Sequence, residues 1–98
     1  MSAYFVVNYR ITNQEGYQKY LDSAGSTVAE HGGEVLVADF ASEPVEGKPA
    51  AVTVVIRFES KEAMRGWYDS PEYQAAVPHR LNNSEGFSVL CDGLPARA

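Results

Sequence analysis

Residues 34–58 decide the fold: Glu34-Val35-Leu36-Val37-Ala38-Asp39-Phe40, the connection 41–50, then Ala51-Val52-Thr53-Val54-Val55-Ile56-Arg57-Phe58. Two runs of β-branched and aromatic residues flank a segment holding Pro44, Gly47 and Pro49 with Glu43, Glu46 and Lys48, the composition of two strands joined by a surface loop. Opposing positions whose numbers sum to a constant sets Glu34 against Arg57, Leu36 against Val55 and Phe40 against Ala51, and opposed residues share a face. Val35, Val37, Val52, Val54, Ile56 and Phe58 then occupy one face of the hairpin. Leu36, Ala38, Phe40, Thr53 and Val55 occupy the other, with the Glu34–Arg57 pair at its end.

Outward from this hairpin, Ala3 to Ile11 alternates Phe5, Val7, Tyr9 and Ile11 with Tyr4, Val6, Asn8 and Arg10, which predicts a first strand. Thr12-Asn13-Gln14-Glu15 carries helix-start chemistry, with Asn13 as the cap or Thr12 in a capping box with Glu15. Tyr17, Tyr20, Leu21, Ala24 and Val28 follow at helical spacing, and Gly32-Gly33 ends the helix. Gly25 weakens the middle of that helix by roughly 1 kcal/mol relative to alanine. Ser60 caps a second helix whose buried stripe is Ala63, Met64 and Trp67. Ser70-Pro71-Glu72 reads as a fresh cap with proline at the first position, so a short third helix runs to about Val77 and Pro78 ends or kinks it. Phe87 to Asp92 is the last strand.

The order strand, helix, strand, strand, helix, strand is that of an α+β, ferredoxin-like βαββαβ sandwich. With 98 residues there is room for one core, so a single domain is expected over 1–98, its core about 3–93 and residues 94–98 a loose tail. A net charge of −5 argues against a phosphate-binding surface, hence against nucleic acid. A single cysteine, Cys91, forms no intramolecular disulfide and no thiolate cluster. No apolar run approaches a membrane span and Met1-Ser2-Ala3-Tyr4 lacks a leader pattern, so the expectation is a cytoplasmic protein without membrane contact.

Assigning Phe87, Val89 and Cys91 to the helix-covered face, with Ser88 and Leu90 opposite, leaves a second face bearing Tyr4, Val6, Leu36, Phe40, Val55 and Leu90. That face is too apolar for water and too polar for an ordinary core. Burial against another sheet satisfies both facts, and a homodimer is expected.

His31-Gly32-Gly33, Val54-Val55-Ile56-Arg57-Phe58 and Trp67-Tyr68-Asp69-Ser70-Pro71-Glu72-Tyr73-Gln74 with Arg80 following resemble the dimeric α/β-barrel superfamily, and within it the family called domain of unknown function thirteen-thirty. The resemblance runs from about Tyr4 to Gly93 and implies a barrel formed by sheet-to-sheet pairing of two copies. It carries no established activity. By superfamily analogy it implies a cofactor-independent monooxygenase or an isomerase acting on a small oxygenated molecule. The reading of another class is a non-catalytic dimeric binding or regulatory module. This chain departs from the family's pattern at Asp39-Phe40, where glycines are usual, and at Pro78, where the helix continues.

Tyr68, Tyr73 and Arg80, with His79 beside them, form the expected ligand site, since aromatic walls with a phenol and a guanidinium suit a planar oxygenated molecule. Each also has a structural role open to it: Tyr68 and Tyr73 as buried rings, Arg80 paired with Glu72 or Glu85, and His79 at the surface. His31 and Tyr68 are the weak catalytic candidates, a helix C-cap being the favoured role for His31. The two histidines lack metal-ligand spacing, and no phosphate loop, Gly-x-Ser-x-Gly elbow or Cys-x-x-Cys occurs, so neither metal nor cofactor is expected.

Overall fold

A computed structural model describes residues 2–95. The elements are β1 (Ala3–Ile11), α1 (Gln14–Glu30), β2 (Glu34–Asp39), β3 (Val52–Phe58), α2 (Lys61–Tyr68), α3 (Pro71–Leu81) and β4 (Ser84–Asp92). The four strands form one antiparallel sheet in the order β2-β3-β1-β4. Of the expected tail, Leu94 and Pro95 are exposed and 96–98 lie outside the described residues.

Local chemistry sets the helix ends. Asn13 caps α1 by accepting from the Gly16 N–H at 3.2 Å, Ser60 caps α2 through the Ala63 N–H, and Ser70 caps α3 through the Tyr73 N–H. Gly32, at φ 75, takes the left-handed turn that closes α1. The expected stop at Pro78 does not occur, and α3 continues to Leu81. Proline sacrifices one helical hydrogen bond there, but the turns on either side bury Tyr73, Ala76, Val77 and Arg80, and that packing holds the helix together.

The core lies between the helices and one sheet face. Trp67 is fully buried, its ring 5.6 Å from Phe5, 5.3 Å from Phe58 and 4.0 Å from Tyr73, and its indole N–H donates to Thr27 Oγ1 at 3.0 Å. α1 packs mainly on α3 and barely touches β2. The helix-side face of β2 is therefore left partly open.

Two face assignments change. Glu34 opposes Arg57 and Val35 opposes Ile56 as expected, but a bulge at Leu36 shifts the register, so Val37 opposes Val55 and Ala38 opposes Val54. Val37 moves to the open face, and Ala38 and Phe40 move to the helix side. On β4, Val89 opposes Val6 and Leu90 opposes Phe5, which puts Phe87, Val89 and Cys91 on the open face and Ser88 and Leu90 on the helix side. Both faces of this sheet are apolar, so alternation alone does not say which one faces the helices. The corrected open face is more apolar than expected: Leu36 is 48% exposed, Phe87 61% and Val89 47%, beside half-buried Val6 and Val55.

Candidate functional site

The partial cover of β2 creates a trough between α1 and the sheet, with a cavity of about 180 Å³. Val7, Val54 and Ile56 form its floor, Leu21 and Val28 of α1 one wall, and Val35 and Phe40 of β2 the other. The lining is almost wholly apolar, and its polar groups gather around Arg80 of α3.

Arg80 is only 5% exposed. Its guanidinium carbon lies 5.7 Å from the Tyr9 ring centre and 5.7 Å from that of Tyr20, a cation held between two ring faces. Glu85 pairs instead with Arg10 at 2.6 Å, and no acidic side chain pairs with Arg80 among the described residues. Arg80 Nε has no hydrogen-bond partner. A buried cation with neither counter-ion nor full hydrogen bonding is costly. The trough beside it is where an anion would relieve that cost.

Four phenols surround this cation. Tyr9 and Tyr17 share a short hydroxyl–hydroxyl hydrogen bond, and Tyr20 and Tyr73 share one at 2.8 Å. Burial pushes all four hydroxyls above the ordinary phenol range. The charge of Arg80 opposes that rise without cancelling it. Burial works against the Arg80 charge, but Tyr73 and Tyr20 outweigh it and the guanidinium is held above its ordinary value. At neutral pH the cluster is thus one cation ringed by neutral hydroxyls, able to stabilise an oxyanion but not to remove a proton.

Of the site residues expected from the sequence, Arg80 lines the trough. Tyr73 is fully buried behind Tyr20, touching the site through its hydroxyl. Tyr68 packs 5.3 Å from Tyr73 but lines a separate hollow with Met64, Arg65 and Leu90 between α2 and β4. His79 is half-buried in the last turn of α3, where its carbonyl accepts from Asn83. His31 caps α1, its Nδ1 3.0 Å from the Thr27 carbonyl oxygen. Neither histidine lines the trough. No cluster of three or more His, Cys, Asp or Glu side chains able to hold a metal forms among the described residues. Sequence reasoning overlooked Tyr9, Tyr17 and Tyr20 by reading them only as core positions. The available signal was three phenols on helix-facing stripes, each needing a polar partner once buried.

Residues 2–94 match the family described as "Domain of unknown function (DUF1330)", and the chain belongs to it. No curated protein matches in sequence. Among solved structures, the methylated RPA0582 protein superposes with a TM-score of 0.81 at 17% identity, over 96% of this chain and 82% of that one. The RPA0582 protein of unknown function from Rhodopseudomonas palustris gives 0.77 at 16%, over 97% and 84%. SnoaB, a cofactor-independent oxygenase from Streptomyces nogalater, gives 0.68 at 12%, over 97% and 95%. A dimeric protein of unknown function with a ferredoxin-like fold from Bacteroides fragilis gives 0.57 at 11%, over 94% and 96%. At these identities the likeness establishes the ferredoxin-like fold. No helix among the described residues is long and apolar enough to cross a membrane.

Proposed function

We propose that this DUF1330 member binds a small, planar, oxygenated molecule as its oxyanion in the α1–β2 trough and acts on it as a cofactor-independent monooxygenase. The single observation that carries the reading is Arg80: a buried guanidinium, unpaired and with a free Nε, at the end of an apolar cavity. A dry apolar cavity of roughly 150 Å³ already accepts benzene, so about 180 Å³ suits one aromatic ring with its substituents. The ring stacks against the apolar floor, and its enolate or phenolate oxygen takes the Arg80 Nε–H as a charge-assisted donor. Tyr20 and Tyr17 supply neutral hydroxyls beside it.

The lining favours oxygenation over isomerisation. No Asp, Glu, His or Lys lines the trough to carry a proton between carbons, so the substrate must ionise readily by itself, as an enol, phenol or hydroquinone does. Such an anion is electron-rich enough to react with dioxygen directly. In the balanced reaction, a ring-flanked CH2 loses both hydrogens, one oxygen atom becomes the new carbonyl, and the other leaves as water with those two hydrogens. The activity of SnoaB supports this choice by analogy of fold alone. The same lack of an acid or base supports a second reading, a non-catalytic binding module using the same trough.

We also propose that two copies pair through the open sheet face in the cytoplasm, where Cys91 stays reduced. Its apolar centre is rimmed by the exposed ion pairs Arg10–Glu85 and Glu34–Arg57, the layout of an interface with a dry core and a polar edge. Asn8, a polar group within that face, spends its amide on Ala50, Val52 and Thr53 and so is ready for burial.

The test is a titration with 4-nitrophenol, whose phenolate is yellow, slightly below its solution pKa. Wild type should raise the yellow fraction, and Arg80→Met should abolish that rise while remaining folded by circular dichroism. No colour change with wild type, or an equal one with the variant, would reject the oxyanion site. Oxygen consumption with an enolisable ketone that carries such a ring-flanked CH2, anthrone being the simplest, then separates the two readings, uptake of one O2 per new carbonyl above the protein-free rate supporting the enzyme and its absence the binding module.

A further inference from the structure

Gly25 sits in the middle of α1 with no structural need to be glycine. Its φ is not positive, and a Cβ built there would meet nothing within 4 Å. In a helix interior glycine costs roughly 1 kcal/mol relative to alanine. Yet Gly25 lines the trough, and so does Ala38 on β2. Tyr17 lies 6.5 Å from Phe40 at one end of the α1–β2 gap, and Val28 approaches Gly33 just before β2 at the other, so Gly25 and Ala38 fall between. The trough therefore has small, exposed residues midway along the α1–β2 gap and a buried cation at its polar end.

Building on the oxyanion reading above, we infer that Gly25 is a specificity-determining residue. It holds open a mouth through which the body of an elongated, flat, apolar anion leaves the trough once its head has seated on Arg80. The ligand class follows from the two ends: an oxyanion head for the buried, unpartnered Nε, and an unbranched aromatic body of more than one ring to run between α1 and β2. A single-ring ligand fits the Arg80 end and never reaches the mouth. A two-ring ligand in line with its head must cross Gly25.

Isothermal titration of wild type, Gly25→Ala and Gly25→Leu with benzoate and with biphenyl-4-carboxylate tests this. Wild type should bind both, the two-ring acid more tightly. Gly25→Leu should keep benzoate within about twofold and lose biphenyl-4-carboxylate by roughly tenfold or more. Gly25→Ala should melt above wild type, which shows that the glycine is not kept for the fold. A folded Gly25→Leu that binds the two-ring acid as wild type does, or that loses both acids alike, would overturn the inference and leave the Arg80 site standing. Failure of wild type to bind either acid would instead remove the oxyanion reading and this inference with it. A Gly25→Ala that melts below wild type would overturn the claim that the position is free of structural demand.

Discussion

Replacing Arg80 with methionine separates a functional cation from a structural one. The guanidinium is 5% exposed and lacks a carboxylate partner among the described residues, so its charge is held only by the phenols around it. Exchanging buried ionic groups for apolar ones of similar volume is typically neutral or stabilising by about 1–4 kcal/mol. Against that stand the two ring faces at 5.7 Å, each worth about 0.5–2 kcal/mol to a desolvated cation. The two contributions are of similar size, so Arg80→Met should stay within about 2 kcal/mol of wild type, methionine filling the space with its flexible stem. Urea denaturation followed by far-ultraviolet circular dichroism near neutral pH reads this directly, and 4-nitrophenolate binding should vanish in the same sample. A loss of more than about 3 kcal/mol is what breaking a buried structural network gives. That result would refute the reasoning, because it would mean that contacts within the protein already satisfy Arg80.

The four buried phenols make stability fall at alkaline pH. Their folded pKa values lie above the unfolded value of about 10, so their contribution is complete below pH 10 and is lost as the pH rises beyond it toward the folded values. Tyr9 and Tyr73, the two pushed up furthest, alone give a slope of about 2.7 kcal/mol per pH unit once the unfolded phenols ionise, and urea midpoints that stay flat above pH 10 would contradict the burial of the cluster. Glu34 and Arg57 lie 3.8 Å apart with both side chains largely in water, so a double-mutant cycle on the isolated effect should give a coupling below about 0.5 kcal/mol. Phe87→Glu places a charge at the most exposed ring of the open face and should turn a dimer into a folded monomer in sedimentation velocity, whereas a wild type that sediments as a monomer at micromolar concentration would dismiss the pairing.

What could be read from the sequence was what local chemistry decides. Asn13, Ser60 and Ser70 announce three helix starts because a side-chain oxygen must meet free N–H groups within three residues, whatever the rest of the chain does. Pro78 misleads for the same reason inverted: locally it is a stop, and only the burial of Ala76, Val77 and Arg80 beneath α1 and the sheet overrides it. Ser84 and Glu85 belong to β4 although their composition is that of a turn, since pairing with Ile11 and Arg10 supplies what propensity lacks. Arg80 was recognisable as a candidate site residue, but the groups that surround it were not, because sequence places Tyr68 near it whereas the fold turns Tyr68 toward β4 and brings in Tyr9, Tyr17 and Tyr20 from distant elements.

The bulge at Leu36 joins the two halves of the functional reading. With an unbroken register, Val37 would point into the trough and narrow it, and Ala38 and Phe40 would stand on the open face. The one-residue shift exchanges them. Leu36 and Val37 both oppose Val55 on the open face, adding apolar area where a second copy is proposed to dock. Ala38 turns to the helix side and leaves space opposite Gly25, and Phe40 turns with it to set its ring against Tyr17 at the polar end of the trough. One irregularity in an edge strand thus does two things at once: it makes the outer face drier and the inner cavity wider. Neither follows from the composition of residues 34–40, because the shift changes only which side of the sheet each residue meets.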